Sequence, residues 1–509
     1  MTNSSTDRRK FLKMVSLMSA AVVAEPLAKR LPGVTADTPH VIILILDAWS
    51  ARNVGLYGYE RDTMPNLAKF AEKAIVYKNH YSNSNYTIPG TSSLLTGTHP
   101  WTHRAFNLGS LVKPELTNKQ IFEFLAGSHQ TLGYAQNVYP DQLLGQFQKS
   151  LDIHIPFSKY NLNDIVVYDE KVFEKDTYSA FAAFEDNIFA RNESTPGSLF
   201  FGTAKKILDK RDQKATLDAI PEIYEDGPPR SLEYFLISDL VDGLISQIKA
   251  FTQPSFMYFH VFPPHGPYKA YKHHYQRFSK DKYLPIEKPV HPLIENIKNQ
   301  EDMNEDRMTY DALIASLDEE LGRFFTYFED SGMKEKSHLF ITSDHGEMFE
   351  RGHVGHWDKM LYEPVLHVPL IVSTPGITAR VDVKEKTNNI DLFPTIAHLT
   401  NNPTPPWAEG EILPELGGSR NADRSIFTMD VSNNPIKQAI REYSFCLHRG
   451  NYKMIKYNYS TYQGTEFYDL ASDPEEIKDL YSAKPATAVE MERQLDEKMA
   501  EINAPFEDK

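Results

Sequence analysis

The residues best placed to do chemistry in this sequence are carboxylates and imidazoles that follow directly on apolar runs. Asp47 closes the run from His40 to Leu46. Asp344 and His345 follow His338-Leu339-Phe340-Ile341-Thr342, with Gly346 and Glu347 behind them. His265 follows the run Ser255 to Val261 across Pro263-Pro264. Carboxylate oxygens and imidazole nitrogens together suit Zn²⁺, Mn²⁺, Ca²⁺ or Mg²⁺. A lone Asp at a strand end is more often a helix cap or turn former. A carboxylate and an imidazole side by side on one tight turn point further towards chemistry. His353 and His356 sit in Gly352-His353-Val354-Gly355-His356. They could bind a second metal, bind substrate or protonate a leaving group; in an exposed loop they would be inert. Lys269, Lys272, His273 and His274 read as a solvated face.

The elements that must position these residues can be read from periodicity. Each of the three runs is continuously apolar or aromatic, the pattern of a strand buried on both faces of a parallel sheet. Leu313, Leu317, Leu321, Phe324, Phe325 and Phe328 recur at helical spacing between the second and third runs. A further helix is expected from Tyr234 to Phe251. Strand, helix and strand at this spacing predict an α/β sheet with right-handed crossovers, whose ligands bind at the carboxyl ends of the strands. From about Arg441 the texture changes to Tyr443–Leu447, Tyr452–Tyr457 and Glu466–Leu470, short runs broken by turns. These predict a small antiparallel sheet, followed by a terminal helix over Ala486 to Ile502.

The chain has 509 residues, 41% of them hydrophobic and 12% aromatic, which is enough for a large core and excludes global disorder. Its formal net charge of −15 argues against a nucleic-acid binder with an overall basic surface. A single cysteine, Cys446, excludes an intrachain disulfide and a Cys-rich zinc site. At the N-terminus, Arg8-Arg9-Lys10-Phe11-Leu12-Lys13 precedes an apolar run from Met14 to Ala24. That run, about 11 residues, is too short to span a bilayer and has the size of a signal-peptide core. The arginine pair resembles a twin-arginine signal. It implies passage through the twin-arginine export machinery to the periplasm or the exterior. An uncleaved signal would tether the protein to the membrane.

Between His40 and about Tyr481 the sequence resembles the sulfatase family of the alkaline phosphatase superfamily. The blocks that carry the resemblance are His40–Asp47, Met64–Ala71, Ala74–Tyr77, Thr87–Gly97, Pro264–Tyr268, Asp344–Glu347, Leu361–Glu363 with Val368–Val372, Asp391–Thr395, and Glu466–Leu470 with Asp473–Glu476. The resemblance is weakest between about 150 and 230. It implies an alkaline-phosphatase-like α/β fold, with a mixed, mostly parallel sheet flanked by helices and a small C-terminal antiparallel-sheet subdomain. It also implies one divalent ion (Zn, Mn, Ca or Mg) held by Asp47, Thr87, Asp344 and His345. Thr87 would be the nucleophile, with His265 and His356 on the anion or the leaving group. Lys359, one residue out of register with the family's anion-binding Lys, His353 and Asn137 would contact substrate.

The departures from the family pattern bear on mechanism. Sulfatases carry Cys or Ser, any residue, Pro, any residue and Arg at the nucleophile, and oxidise the first residue to formylglycine. Thr87 and Thr91 stand at the first and last of these positions. Oxidation of a threonine carbinol would give a ketone, so no formylglycine is expected. Ala48 stands where a second Asp is usual, and Gly133-Tyr134-Ala135-Gln136-Asn137 lacks the family's Lys and His. The pattern is similar to the threonine-dependent branch, which acts on phosphate and phosphonate esters. The expected function is therefore an exported, metal-dependent hydrolase of phosphate mono- or diesters or phosphonate esters. Its partner is an anionic ester, free or on a glycan or lipid head group. The alternatives are a sulfatase without formylglycine, a phosphotransferase to a glycan or lipid acceptor, and a degenerate anion-binding scaffold. The expected organisation is a signal region at 1–33, a catalytic domain at 34–435 with a variable pocket-mouth segment at about 161–230, and a C-terminal subdomain at 436–509.

The export reading predicts that replacing Arg8 and Arg9 with Lys leaves the precursor in the cytoplasm, because the receptor reads guanidinium groups rather than charge alone. Cell fractionation with an antibody to the mature chain would check this. Undiminished periplasmic material would contradict it.

Overall fold

The computed structural model describes residues 38–162, 223–224, 227–230, 234–357 and 359–506. The expected signal region, and most of the variable segment at 161–230, lie outside the described residues.

The strands of the main sheet are β1 (His40–Leu46), β2 (Ile75–Tyr81), β3 (Gln130–Ala135), β4 (Ile153–Ile155), β5 (Ser255–Val261), β6 (Ser337–Thr342), β9 (Leu370–Ser373) and β10 (Val381–Asn388). The short hairpin β7 (Met348–Glu350) and β8 (His353–Gly355) stands apart as a two-stranded sheet. The C-terminal strands are β11 (Ile426–Asp430), β12 (Tyr443–Arg449), β13 (Tyr452–Asn458) and β14 (Gln463–Asp469). The helices needed below are α1 (Thr87–Thr96), α2 (Val138–Gln146), α3 (Ile237–Lys249), α4 (Gln300–Asp330), α5 (Leu392–Leu399) and α6 (Ala486–Asn503).

The main sheet has eight strands in the order β10-β2-β9-β6-β1-β5-β3-β4. β1 pairs in parallel with β5 on one side and β6 on the other, and β9 runs antiparallel to both of its neighbours. The sheet is thus mixed and mostly parallel, as expected. The three apolar runs of the sequence are its three central strands. Along β1, Ile42, Leu44 and Leu46 pack with α3 and α4, while Val41, Ile43 and Ile45 pack with α1 and α5. Period-two alternation sends successive side chains to opposite helical layers, and because both layers are apolar the sequence itself does not alternate. The long helix carrying Leu313 to Phe328 is α4, and the helix expected over 234–251 is α3.

The C-terminal sheet is antiparallel in the order β11-β12-β13-β14, with α6 packed on it through Ala488, Met491, Leu495 and Met499. Its edge strand β11 begins at Ile426, N-terminal to the boundary expected at 436. The expected boundary followed a change of texture in the sequence. The sheet instead recruits β11 from the preceding loop region through pairing of Ile426–Asp430 with Ser444–His448.

One glycine sets how closely the first turn of α1 approaches β6. A Cβ on Gly90 would come within 2.4 Å of the Asp344 carbonyl oxygen. The Ser82 hydroxyl donates to that same carbonyl. Gly90→Ala therefore forces α1 and Asp344 apart. In a helix Gly→Ala normally stabilises by ~0.5–1 kcal/mol; here it should lower the melting temperature and the catalytic rate together. A variant with raised stability and unchanged rate would contradict this close packing.

Candidate active site

Parallel strands bring their carboxyl ends to one edge, and that edge collects the site. β1 delivers Asp47, β6 delivers Asp344 and His345, and β5 delivers His260 within the strand and His265 beyond it. α1 starts at Thr87 after Tyr86 in an extended conformation with no side-chain cap. The first amides of a helix lack internal partners and favour a negative charge in front of them. Thr87 stands at that end.

The turn after β1 is held by Ser343 and Tyr310. Trp49 N donates to Ser343 Oγ over 2.9 Å, and the Tyr310 hydroxyl donates to Ala48 O over 2.6 Å. Ala48 takes a left-handed φ of 58°, which an L-residue adopts at a cost of ~1 kcal/mol or more. The turn aims the Ala48 amide at Asp344 Oδ1, 3.4 Å away.

The expected metal positions converge. His345 Nε2 lies 3.2 Å from Thr87 Oγ1, 3.5 Å from Asp47 Oδ1 and 3.5 Å from Asp344 Oδ2. His345 Nδ1 donates to Gly346 O over 2.9 Å. A carbonyl only accepts, so Nδ1 carries the proton and Nε2 turns a lone pair to the cluster. Asp47, Asp344, His345 and Thr87 are all buried. Burial alone would favour a protonated Asp47, but His265, His260 and His345 overcome it and hold its acidity at about 2. Asp344 moves the other way, up to about 8, through burial and then the charge of Asp47. Two carboxylates sharing a dry site keep one proton between them.

Three buried atoms here, Asp47 Oδ1, Asp344 Oδ2 and His260 Nε2, have no hydrogen-bond partner among the described residues. Orphaned carboxylate oxygens beside bare imidazole nitrogens call for a cation. The donor set of two carboxylates, imidazoles and a hydroxyl suits a divalent ion. The residues present therefore fit the metal that the sequence implies.

The other expected site residues divide. His265 Nδ1 donates to Gly266 O over 2.7 Å, and its ring lies 4.9 Å from that of His356. The His356 ring is 4.2 Å from that of His345, and its Nδ1 meets Glu347 Oε1 at 2.8 Å. Burial pushes the pKa of both histidines below the usual imidazole value, which favours the neutral rings, and pushes that of Glu347 well above the usual carboxylate range. His353, on β8, lies close enough to His356 for its charge to lower that residue further. Asn137, expected on the substrate, is seated beside Asp47. Its amide donates to Asp47 Oδ2 over 2.7 Å, and its carbonyl accepts from Tyr139 N at the start of α2. Lys359 places its ammonium 4.3 Å from the centre of the Tyr459 ring and exerts its charge on Asp430.

Sequence reading passed over His260 and Glu347. His260 stands inside an otherwise apolar strand and carries the strand pattern of its neighbours. The signal available was one imidazole in an otherwise apolar and aromatic run, Ser255–Val261. Glu347 was visible beside His345, but its contact with His356 spans a hairpin that the sequence did not predict.

A mostly parallel α/β sheet with buried carboxylates, imidazoles and a threonine hydroxyl at its carboxyl edge defines a sulfatase-like ester hydrolase. The comparisons agree. The sulfatase profile matches residues 39–402, and a profile described as "N-sulphoglucosamine sulphohydrolase, C-terminal" matches 352–504. The chain belongs to the sulfatase family. It is 24% identical over 493 residues to an ulvan-active sulfatase of Formosa agariphila, covering 92% of this chain and 82% of that one. It is 23% identical over 505 residues to a multifunctional alkaline phosphatase superfamily protein of Trinickia caryophylli, covering 88% and 92%. The fold is shared with a phosphonate monoester hydrolase of Silicibacter pomeroyi at a TM-score of 0.63 and 19% identity, covering 91% of this chain and 96% of that one.

The raised Asp344 gives a pH dependence to metal uptake. At pH 7 the metal-free pair holds a proton that a cation must displace, so binding should release about one proton. Apparent affinity should fall about tenfold per pH unit below Asp344's value near 8 and level off above it. Calorimetry in buffers of different ionisation enthalpy would measure the release, and Asp344→Asn should abolish it.

Proposed function

We propose that this protein is an exported hydrolase of phosphate or phosphonate esters that works through Thr87. The observation that carries this reading is the threonine itself. Its hydroxyl stands at the N-terminus of α1, 3.2 Å from His345 Nε2, in the position where sulfatases need formylglycine. Cys446 is buried in β12 of the C-terminal sheet, remote in sequence from that position. Thr91 stands where sulfatases carry Arg, beside the Tyr258 hydroxyl.

Asp47, Thr87, Asp344 and His345 would hold one divalent ion. When bound, the metal supplies positive charge that acidifies the threonine hydroxyl and neutralises the anionic ester. The remaining work falls to the chain. The first amides of α1 face the incoming anion and orient it. Thr87 Oγ1 attacks phosphorus, an O–P bond forms, and the bond to the leaving oxygen breaks. Water then attacks phosphorus and releases Thr87. His265 donates from Nδ1 to Gly266 O and so presents Nε2 as a proton acceptor. His356 is gripped at Nδ1 by Glu347, which leaves Nε2 to meet the leaving oxygen. Asn137 acts on the anion only through Asp47.

A sulfuric ester is the second reading, favoured by the ulvan-active relative. Hydrolysis by attack at phosphorus frees a phosphothreonine, whereas a sulfothreonine lacks the easy sulfate release of a formylglycine hydrate. This chemistry favours phosphoryl transfer. Among the described residues no helix is long and apolar enough to cross a membrane. The exported location rests on the N-terminal arginine pair.

Thr87→Ala should keep its fold and part of its metal, yet lose at least ~10³-fold in rate, the scale of losing a covalent nucleophile. Thr87→Ser should retain measurable turnover. A panel of aryl phosphate monoesters, diesters, phosphonates and sulfates, each with Zn²⁺, Mn²⁺, Mg²⁺ and Ca²⁺, decides the substrate class. Aryl sulfates outpacing every phosphorus ester would establish the second reading.

A further inference from the structure

The residue after Asp47 is Ala48, which offers no ligand atom, yet the neighbouring strand brings an imidazole to the same place. β5 runs parallel to β1 with His260 opposite Ile45. Side chains two residues apart on a strand share a face, so His260 and Asp47 lie on the same side. His260 is fully buried, and its Nε2 is 3.2 Å from Asp47 Oδ2. One ligand-capable atom from each of Asp47, His260 and Asp344 falls within 4.8 Å of the other two. Bonds of about 2.1 Å to a common ion put donor atoms up to ~4.2 Å apart, so only a small contraction closes this set.

The other ring nitrogen is also fixed. His260 Nδ1 lies 2.9 Å from the Tyr258 hydroxyl. Ligating histidines characteristically have the nitrogen away from the metal held in this way. A histidine serving only as a partner for Asp47 would direct an N–H at its carboxylate. His260 Nε2 lies 3.2 Å from Asp47 Oδ2 but off the line of a straight hydrogen bond, leaving its lone pair free to turn to a shared cation.

We propose that His260 is a further ligand of the divalent ion, taking the place of the carboxylate that Ala48 lacks. This rests on the metal-site reading above. Two consequences follow from the chemistry. Two imidazoles favour ions that accept nitrogen, such as Zn²⁺, Mn²⁺ or Co²⁺, over Ca²⁺, which prefers oxygen. A neutral ligand in place of a carboxylate also leaves two negative charges, from Asp47 and Asp344, against the ion's two positive ones. The centre then repels a dianionic ester less than one with a third carboxylate.

The test is pulsed electron paramagnetic resonance on the full chain loaded with Mn²⁺, which counts imidazole nitrogens bound to the metal. The wild type should show two, and His260→Gln one, with Mn²⁺ affinity reduced by at least ~100-fold, the upper end of what loss of a second-shell partner costs. His260→Asp should recover binding and shift preference towards Ca²⁺. One nitrogen in the wild type, or two in His260→Gln, would overturn the proposal, and the wild-type count needs no variant to fold. Wild-type Mn²⁺ affinity in Asp344→Asn would instead remove the metal-site reading itself.

Discussion

The structure is organised around two carboxylates, Asp47 and Asp344, buried within reach of the same imidazole. Neither can be solvated, and both cannot stay ionised without a compensating positive charge. Without a metal, the protein meets this demand with a retained proton and a ring of imidazoles. With one, the same arrangement is a ready cation site. The strain is tolerable because the rest of the fold over-determines the position of each group. Asn137 holds Asp47, Ser82 and the Ala48 amide hold the Asp344 residue, and Tyr310 holds the turn between β1 and the following segment. These contacts leave one side of each carboxylate open to a ligand.

The proposed nucleophile, Thr87, depends on that arrangement. α1 lies against Asp344 only because Gly90 has no side chain. The close approach sets the helix N-terminus beside Asp344 and His345. A single placement therefore serves both the threonine and the anion it would attack. His265 and His356 complete the surroundings as rings whose protonation burial disfavours, which suits the proton-transfer roles proposed for them.

The C-terminal sheet contributes to the site as well as covering the domain. Asp430, at the end of β11, accepts from Asn85, whose amide also reaches the His356 carbonyl. Lys453 on β13 is buried between Glu363 and Glu476 and ties the sheet to the segment just after the histidine loop. Removing one member of such a buried set typically costs ~3–5 kcal/mol, because the charges left behind have no solvent. The histidine loop is thus braced from the C-terminal sheet.

Much of this was legible in the sequence, for definite reasons. Strands buried on both faces must be apolar throughout, so β1, β5 and β6 could be read directly, and a parallel sheet sends their carboxyl ends to one edge. Asp47, Asp344, His345 and His265 follow from that rule, and Thr87 from the blocks around it. Distances and pairings across the chain could not be read this way. Asn137 meets Asp47 because it caps α2 just beyond β3 and reaches past the end of β5 to β1. His260 emerged from an apolar run because parallel register sets it opposite Ile45, two residues before Asp47 on the same face. β11 joined the C-terminal sheet through a pairing partner that no local pattern announces. Local sequence determines which residues are chemically able and which strands are buried. Register and close packing, which depend on residues hundreds of positions apart, decide which of those groups meet.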